Sequence, residues 1–377
     1  MSRGATKEGT TQYAEKFRGV AGEGHFREAQ DLVVSSLGVG TYLGPPNDDK
    51  DAGYTAAIVA AVQAGINVID TAINYRFQRS ERNVGAALKV LTNKGFGREE
   101  IVVCTKGGYL TPDGNMPADP NRYFFEEYIQ RGVFTAKEIA GGSHCIATRF
   151  LENQLIRSLK NLGVECIDVY YLHNPETQLG EIPREEFTRR VRDAFSFLES
   201  AAAKGRIQYY GMATWTGFRQ EKTAKDALQL GELAKIAREV AGEKHRFRFV
   251  QLPFNLAMTE ALTLGNQKLD SGEKTVMEAA SELGITLIAS ASLLQGQVAQ
   301  NLPGFVAEAL GLGNDVERAL QFARSAPGIT TALVGMSRTT HVEENSNVVA
   351  AAPTTNTARR RKSKNSSRCF LEKIGSS

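Results

Sequence analysis

No stretch of the 377 residues reaches the eighteen or so consecutive apolar positions of a membrane span. Residues 1–30 are charged throughout and have no signal-peptide core. These absences argue against a membrane partner and for a cytoplasmic chain. Cysteine is scarce: Cys104, Cys145, Cys166 and Cys369 are scattered without CxxC spacing, which excludes a disulfide framework and gives no metal site. Cys104 and Cys166 fall within apolar runs, where a free thiol behaves as a small hydrophobe. The glycines of "LGVGTYLG" do not make a GxGxxG turn opening a helix, so no Rossmann-type nucleotide turn is present.

Nor is there a basic body. The formal net charge is +3, yet residues 353–377 carry seven Lys/Arg against the single acid Glu372, which leaves the remainder near −3. A nucleic-acid partner is therefore not expected. The segment "TARRRKSKNSSR" reads as a solvated, disordered tail rather than an anion-binding arm.

What is present is repetition. Eight β-rich runs can be read: "VSSLGVGTYL" from Val34, "INVIDTA" from Ile66, "IVVCTKGGY" from Ile101, "CIDVYYLHN" from Cys166, "RIQYYGMAT" from Arg206, "FVQLPFNL" from Phe249, "GITLIASASLL" from Gly284 and "TTALVGMS" from Thr330. Helical patterns separate them. Ile58 and Val62 stop at Gly65; Leu151, Leu155, Leu159 and Leu162 stop at Gly163; Phe187, Val191, Ala194 and Leu198 follow Pro183. Near-continuous apolar strands alternating with helices predict one closed parallel (β/α)8 barrel of the TIM type over residues 31–352. Residues 1–30 would be an amphipathic extension or a cover for the barrel bottom, and residues 353–377 the tail. One loop breaks the repeat. Residues 107–147, after the third strand, contain Tyr109, Tyr123, Phe124, Phe125, Tyr128 and Phe134 and read as a substrate lid.

In such a barrel the reactive groups belong at the C-terminal ends of the strands. The second run ends in Asp70, with Tyr75 in its loop; the third ends in Lys106 and the fourth in His173. A lysine in an apolar strand is costly without a partner, and Asp70 next door supplies one. Lys106 would lower the Tyr75 pKa toward the working range, and His173 would orient a substrate oxygen toward the phenol. Such a set protonates an oxygen as hydride adds to a carbonyl. Taken singly, His173 also suits a core position, Asp70 a turn and Lys106 a strand-end ion pair.

The motifs "DTAINY", "CTKGG", "YLHNP", "VQLPFN" and "LVGMSRTTHVEEN" resemble those of the aldo-keto reductases from about Val34 to Val349. The resemblance implies an oxidoreductase in which Tyr75 is the general acid, Asp70 and Lys106 tune it and His173 orients a small-molecule carbonyl substrate. It also implies a nicotinamide dinucleotide lying across the barrel mouth; Arg338, following Ser337 at the entry to the last helix where it could meet a 2′-phosphate, makes NADP(H) expected rather than NAD(H). Thr41 and Tyr42 would lie near the nicotinamide or substrate, Gln251 on the carboxamide, and Ser337 and Arg338 on the adenosine phosphate. His341, Glu344 and Asn345 would surround the ribose and adenine, and loop aromatics including Tyr109 would shape the substrate pocket. Three positions depart from the family pattern: Ala213 and Thr214 stand in place of a Ser-Asn or Ser-Arg pair, and Ser290 in place of a stacking aromatic. The alternative is a nucleotide-sensing or scaffold subunit with a slow or vestigial site.

Overall fold

The computed structural model describes residues 3–354; the tail expected from residue 353 lies outside the described residues from 355 onward. Eight parallel strands close into a barrel. They are β1 (Leu37–Gly40), β2 (Val68–Asp70), β3 (Val102–Gly107), β4 (Ile167–His173), β5 (Ile207–Ala213), β6 (Phe247–Pro253), β7 (Thr286–Ser290) and β8 (Ile329–Gly335). The helices that follow them are α1 (Asp48–Gln63), α2 (Arg79–Asn93), α3 (Thr148–Leu162), α4 (Arg184–Ala203), α5 (Leu230–Ala241), α6 (Val276–Glu282), α7 (Asp315–Arg324) and α8 (Thr339–Ala350).

Every residue of β3 and of β4 is buried, because one face points into the barrel and the other meets the helices. The outward face packs on α2, α3 and α4 through residues such as Val84, Leu88, Leu155 and Val191. Helix stops follow the glycines: Gly163 caps α3 at φ 64° and Gly65 follows α1 at φ 92°, conformations that cost a side-chain-bearing residue about 1 kcal/mol or more.

The first β-rich run, continuous in the sequence, is divided in the structure. Leu32–Ser35 pairs antiparallel with Phe26–Ala29, and only Leu37–Gly40 enters the barrel. Ala5, Ala29, Leu32 and Val34 pack against Val68, Val102 and Val169 inside the barrel, so the N-terminal segment plugs its lower end. Residues 26–35 are therefore one hairpin, with no separation at residue 31. Among the described residues no helix is long and apolar enough to cross a membrane, and no group of three or more His, Cys, Asp or Glu could hold a metal ion.

The long loop packs on itself. Tyr128 and Phe134 stack at 5.6 Å and meet Phe150 of α3, forming a small apolar cluster with Cys145. Its ends return to the barrel mouth, where Tyr109 and His144 form an antiparallel bridge.

Candidate active site

Strand register sets the positions of three charged or polar groups. Asp70 ends β2 opposite Cys104, Lys106 lies opposite Tyr171, and His173 ends β4 opposite Ala213, so the side chains rise at the same end of three adjacent strands. Lys106 Nζ donates to Asp70 Oδ2 at 2.6 Å and to the Thr71 carbonyl at 2.8 Å, with Lys106 1% exposed. Burial works against its charge, but Asp70 and Tyr75 more than offset that and hold its pKa above the ordinary value. Lys106 is thus a fixed ammonium. It sits 5.0 Å from the centroid of the Tyr75 ring.

Tyr75 is positioned by an unusual turn. Arg76, Phe77 and Gln78 all adopt left-handed φ values of 50°, 58° and 71°, at roughly 1–2 kcal/mol each for non-glycine residues. The cost is offset by straps from two loops. Arg76 donates to Asp51 Oδ1 at 2.6 Å and to the Pro45 carbonyl at 2.9 Å and 3.0 Å; Gln78 Nε2 donates to the Pro112 carbonyl at 3.1 Å; the Gly114 N–H donates to the Phe77 carbonyl at 2.8 Å. The residues "RFQ" directly after Tyr75 are this strapped turn.

Here the structure corrects the expected pKa. Burial raises Tyr75 above the ordinary phenol value, and the opposing pull of Lys106 is smaller. Tyr75 therefore keeps its proton at neutral pH. Burial, assisted by the Lys106 charge, pushes His173 well below the usual imidazole range, so its ring is neutral. The Tyr75 and His173 rings lie 5.7 Å apart, Tyr109 is 5.1 Å from His173, and Tyr42 is 5.0 Å from Tyr75. A protonated phenol, a buried ammonium and a neutral imidazole converging on one opening can stabilise and protonate a developing oxyanion.

Thr41 and Gln251 also join this group. Gln251 Nε2 donates to Asp70 Oδ1 at 2.8 Å, and Thr41 Oγ1 donates to the Asp70 carbonyl at 3.2 Å. Ser337 and Arg338 lie just before α8, beyond β8, and His341, Glu344 and Asn345 lie within its first two turns. Arg338 occupies the cap position with no side chain covering the first N–H groups. Lys50, which no sequence motif singles out, donates from Nζ to Ser337 Oγ at 3.3 Å. Asn345 is buried and its Oδ1 has no partner; the same holds for Thr214 Oγ1 at the end of β5. Ser290 ends β7 at the neighbouring rim, partly exposed.

The profile of the aldo/keto reductase family matches residues 36–303. The chain belongs to that family. It is 29% identical over 208 residues, 54% of each chain, to the NADH-specific methylglyoxal reductase of Escherichia coli (strain K12). The matches span about half the length of the first such curated relatives. An aldo-keto reductase from Bacillus halodurans in its holo form superposes with a TM-score of 0.61 at 18% identity, over 93% of this chain and 95% of that one. An aldo/keto reductase from Klebsiella pneumoniae in complex with NADP and acetate superposes with a TM-score of 0.57 at 18% identity, over 89% and 93%.

Other residues near the barrel mouth stand out only in the folded chain. His144, buried in the long loop, meets the His173 carbonyl through Nε2 at 2.7 Å, and burial pushes it down to about 4. Glu176 and Trp215 follow β4 and β5 directly. Their closeness to strand ends is the one signal the sequence holds for them.

Proposed function

We propose that the protein is an NADP(H)-dependent oxidoreductase that reduces aldehydes or ketones to alcohols, with Tyr75 as the proton donor. The observation that carries this reading is the buried 2.6 Å Asp70–Lys106 pair set 5.0 Å from the Tyr75 ring. When bound, the dinucleotide supplies the hydride that the carbonyl carbon accepts. As charge develops on the carbonyl oxygen, Tyr75 gives it the phenolic proton and Lys106 stabilises the phenolate left behind. Asp70, itself held by Gln251, keeps Lys106 aimed. His173, neutral, hydrogen-bonds the same oxygen and fixes its direction. Solvent returns the proton to Tyr75.

The residues present fit the dinucleotide. A guanidinium at Arg338, an ammonium at Lys50, the Ser337 hydroxyl and uncapped N–H groups of α8 suit a 2′-phosphate. The unpaired Asn345 Oδ1 suits an amine of adenine, with His341 and Glu344 beside it for the ribose. Thr41, Thr214 and Ser290 would serve the nicotinamide end. The Escherichia coli relative is named for NADH and the Klebsiella pneumoniae neighbour holds NADP, so likeness does not choose between them. Arg338 with Lys50 favours the phosphate.

Tyr75→Phe is expected to slow single-turnover reduction at least about a hundredfold, with cofactor affinity nearly unchanged. A mutant that reduces a carbonyl at the wild-type rate overturns the assignment. Tight cofactor binding without turnover of any carbonyl would instead favour a nucleotide-sensing subunit.

A further inference from the structure

Tyr75 stands between two restraints of different kinds. Upstream, backbone bonds tie its segment to β3: the Thr71 N–H donates to the Cys104 carbonyl at 3.0 Å and the Ile73 N–H to the Lys106 carbonyl at 3.3 Å. Downstream come Arg76, Phe77 and Gln78, three consecutive non-glycine residues in the left-handed region, a conformation that persists only where the surroundings hold it.

Much of that hold converges on one residue in the first turn of α1. Asp51 Oδ1 accepts from Arg76 Nη2 at 2.6 Å and from Asn83 Nδ2 at 3.0 Å, and Oδ2 accepts from Arg79 Nε at 2.8 Å. Arg79 and Asn83, four residues apart, share a face of α2. One carboxylate therefore grips the strained turn and the start of the helix that follows it.

The three ties are not equivalent. Asn83 carries no charge, and Arg79 also pairs with Asp48. The Arg76 side chain is only 2% exposed, and among the described residues Asp51 is its one ion-pair partner. The Pro45 and Asn47 carbonyls accept from its Nε and Nη2, whereas Nη1 is buried without a partner. A guanidinium so placed is costly unless a carboxylate faces it. Burial works against charge on Asp51, but Asn83, Arg79 and Arg76 outweigh it and hold its pKa below the ordinary value, so the ion pair is intact at neutral pH.

We propose that Asp51 is a positioning residue for Tyr75: through Arg76 it keeps residues 76–78 left-handed, and so keeps the phenol beside Lys106 and His173. Without that carboxylate the Arg76 charge moves toward water, the turn relaxes and the ring loses its direction. The inference rests on the reductase reading for what the phenol does. Where the phenol sits is measurable without turnover.

The test is a double-mutant cycle with a spectroscopic arm. Asp51→Asn keeps the shape of the side chain and removes its charge. Single-turnover reduction of a carbonyl by NADPH is expected to slow at least about tenfold with dinucleotide affinity unchanged, since small displacements of a reacting group cost up to about a hundredfold. In a Tyr75→Phe background the same substitution is expected to cost nothing further, because the hydroxyl it would misplace is already gone. Arg76→Gln, which removes the buried cation rather than its partner, is expected to give the same pattern and covers a failure of the first variant to fold. In protein labelled with 3-fluorotyrosine, the fluorine resonance that is missing from Tyr75→Phe is expected to shift or split in Asp51→Asn, while those of tyrosines remote from the turn stay. Equal slowing in both backgrounds would mean that Asp51 supports the fold at large, and overturns the proposal; so does a Tyr75 resonance that does not move. A moved resonance in a protein that turns over no carbonyl supports the positioning and overturns the reductase reading instead.

Discussion

The two halves of the barrel mouth are built on opposite principles. In one part of it, Asp70 of β2, Lys106 of β3 and Gln251 of β6 satisfy one another through bonds of 2.6 and 2.8 Å, deep in the barrel. On the β8–α8 side, Arg338 is exposed, the first turn of α8 has no side-chain cap, and Asn345 Oδ1 is buried without a partner. The Asp70–Lys106–Gln251 set is complete in itself and holds its geometry before any ligand arrives. The second holds donors and acceptors that a ligand would complete. Damage to the first half should therefore cost folding stability as well as chemistry, whereas damage to the second should cost affinity alone.

The largest effect is expected from Lys106→Met. It leaves the Asp70 carboxylate buried without its cation, which typically destabilises by about 3–5 kcal/mol. Urea unfolding should show this loss, and the double variant Asp70→Asn with Lys106→Met should recover much of it, though not activity. A single variant as stable as wild type would mean that the pair contributes nothing to the fold, and the contrast between the halves would fail.

Arg338→Ala sharpens the other side of the comparison. Charge-assisted hydrogen bonds are worth about 1.5–3 kcal/mol, so NADPH affinity should fall roughly ten- to a hundredfold while NADH affinity and the unfolding midpoint stay put. Lys50→Ala is expected to act in the same direction through its contact with Ser337. Equal losses for both dinucleotides in paired titrations would remove the phosphate from this corner.

The same division governs what is legible in the sequence. Strand and helix periods, with Gly65 and Gly163 as stops, suffice for an eight-stranded barrel because the strands are buried on both faces over most of their length and so are largely apolar. Asp70, Lys106 and His173 are legible because a charged or polar residue closing an apolar strand must find its partners, or solvent, at the barrel mouth. The division of the first run at Ser35 and Ser36 is not, as both sides are apolar and only pairing partners separate them. The direction of the Tyr75 shift is hidden too: a nearby ammonium can be inferred from order along the strands, but the burial that outweighs it depends on the folded surroundings of the ring, Tyr42 and His173 among them. Gln251 also braces Asp70, a pairing across 181 residues that no local pattern encodes. The aromatics of the insertion suggest a lid, yet Tyr128 and Phe134 are consumed in its own small core, and Tyr109 is the ring that reaches His173.

His144 tests how firmly that insertion is tied to the catalytic half. Its Nε2 meets the His173 carbonyl at 2.7 Å and its Nδ1 meets Gln178 Nε2 at 2.9 Å, so with Gln178 donating to Nδ1, Nε2 carries the ring's single proton. Burial lowers the folded imidazole to about 4 from an ordinary 6.5. Below pH 6.5 the unfolded chain takes up a proton that the folded ring refuses until about pH 4, so His144 withdraws stability as pH falls through that window and has no effect above it. Each such group contributes a slope of about 1.4 kcal/mol per pH unit. His25, at the barrel bottom and also lowered to about 4, adds a second slope, and His173 a third. Replacing His144 by Gln should therefore flatten the fall in unfolding free energy between pH 6.5 and 4 by one proton's worth, while lowering stability modestly at pH 8, where only the hydrogen bonds are lost. An unchanged slope in urea titrations across that range would show that His144 charges freely in the folded protein, and that the insertion is not pinned to His173 through a neutral ring.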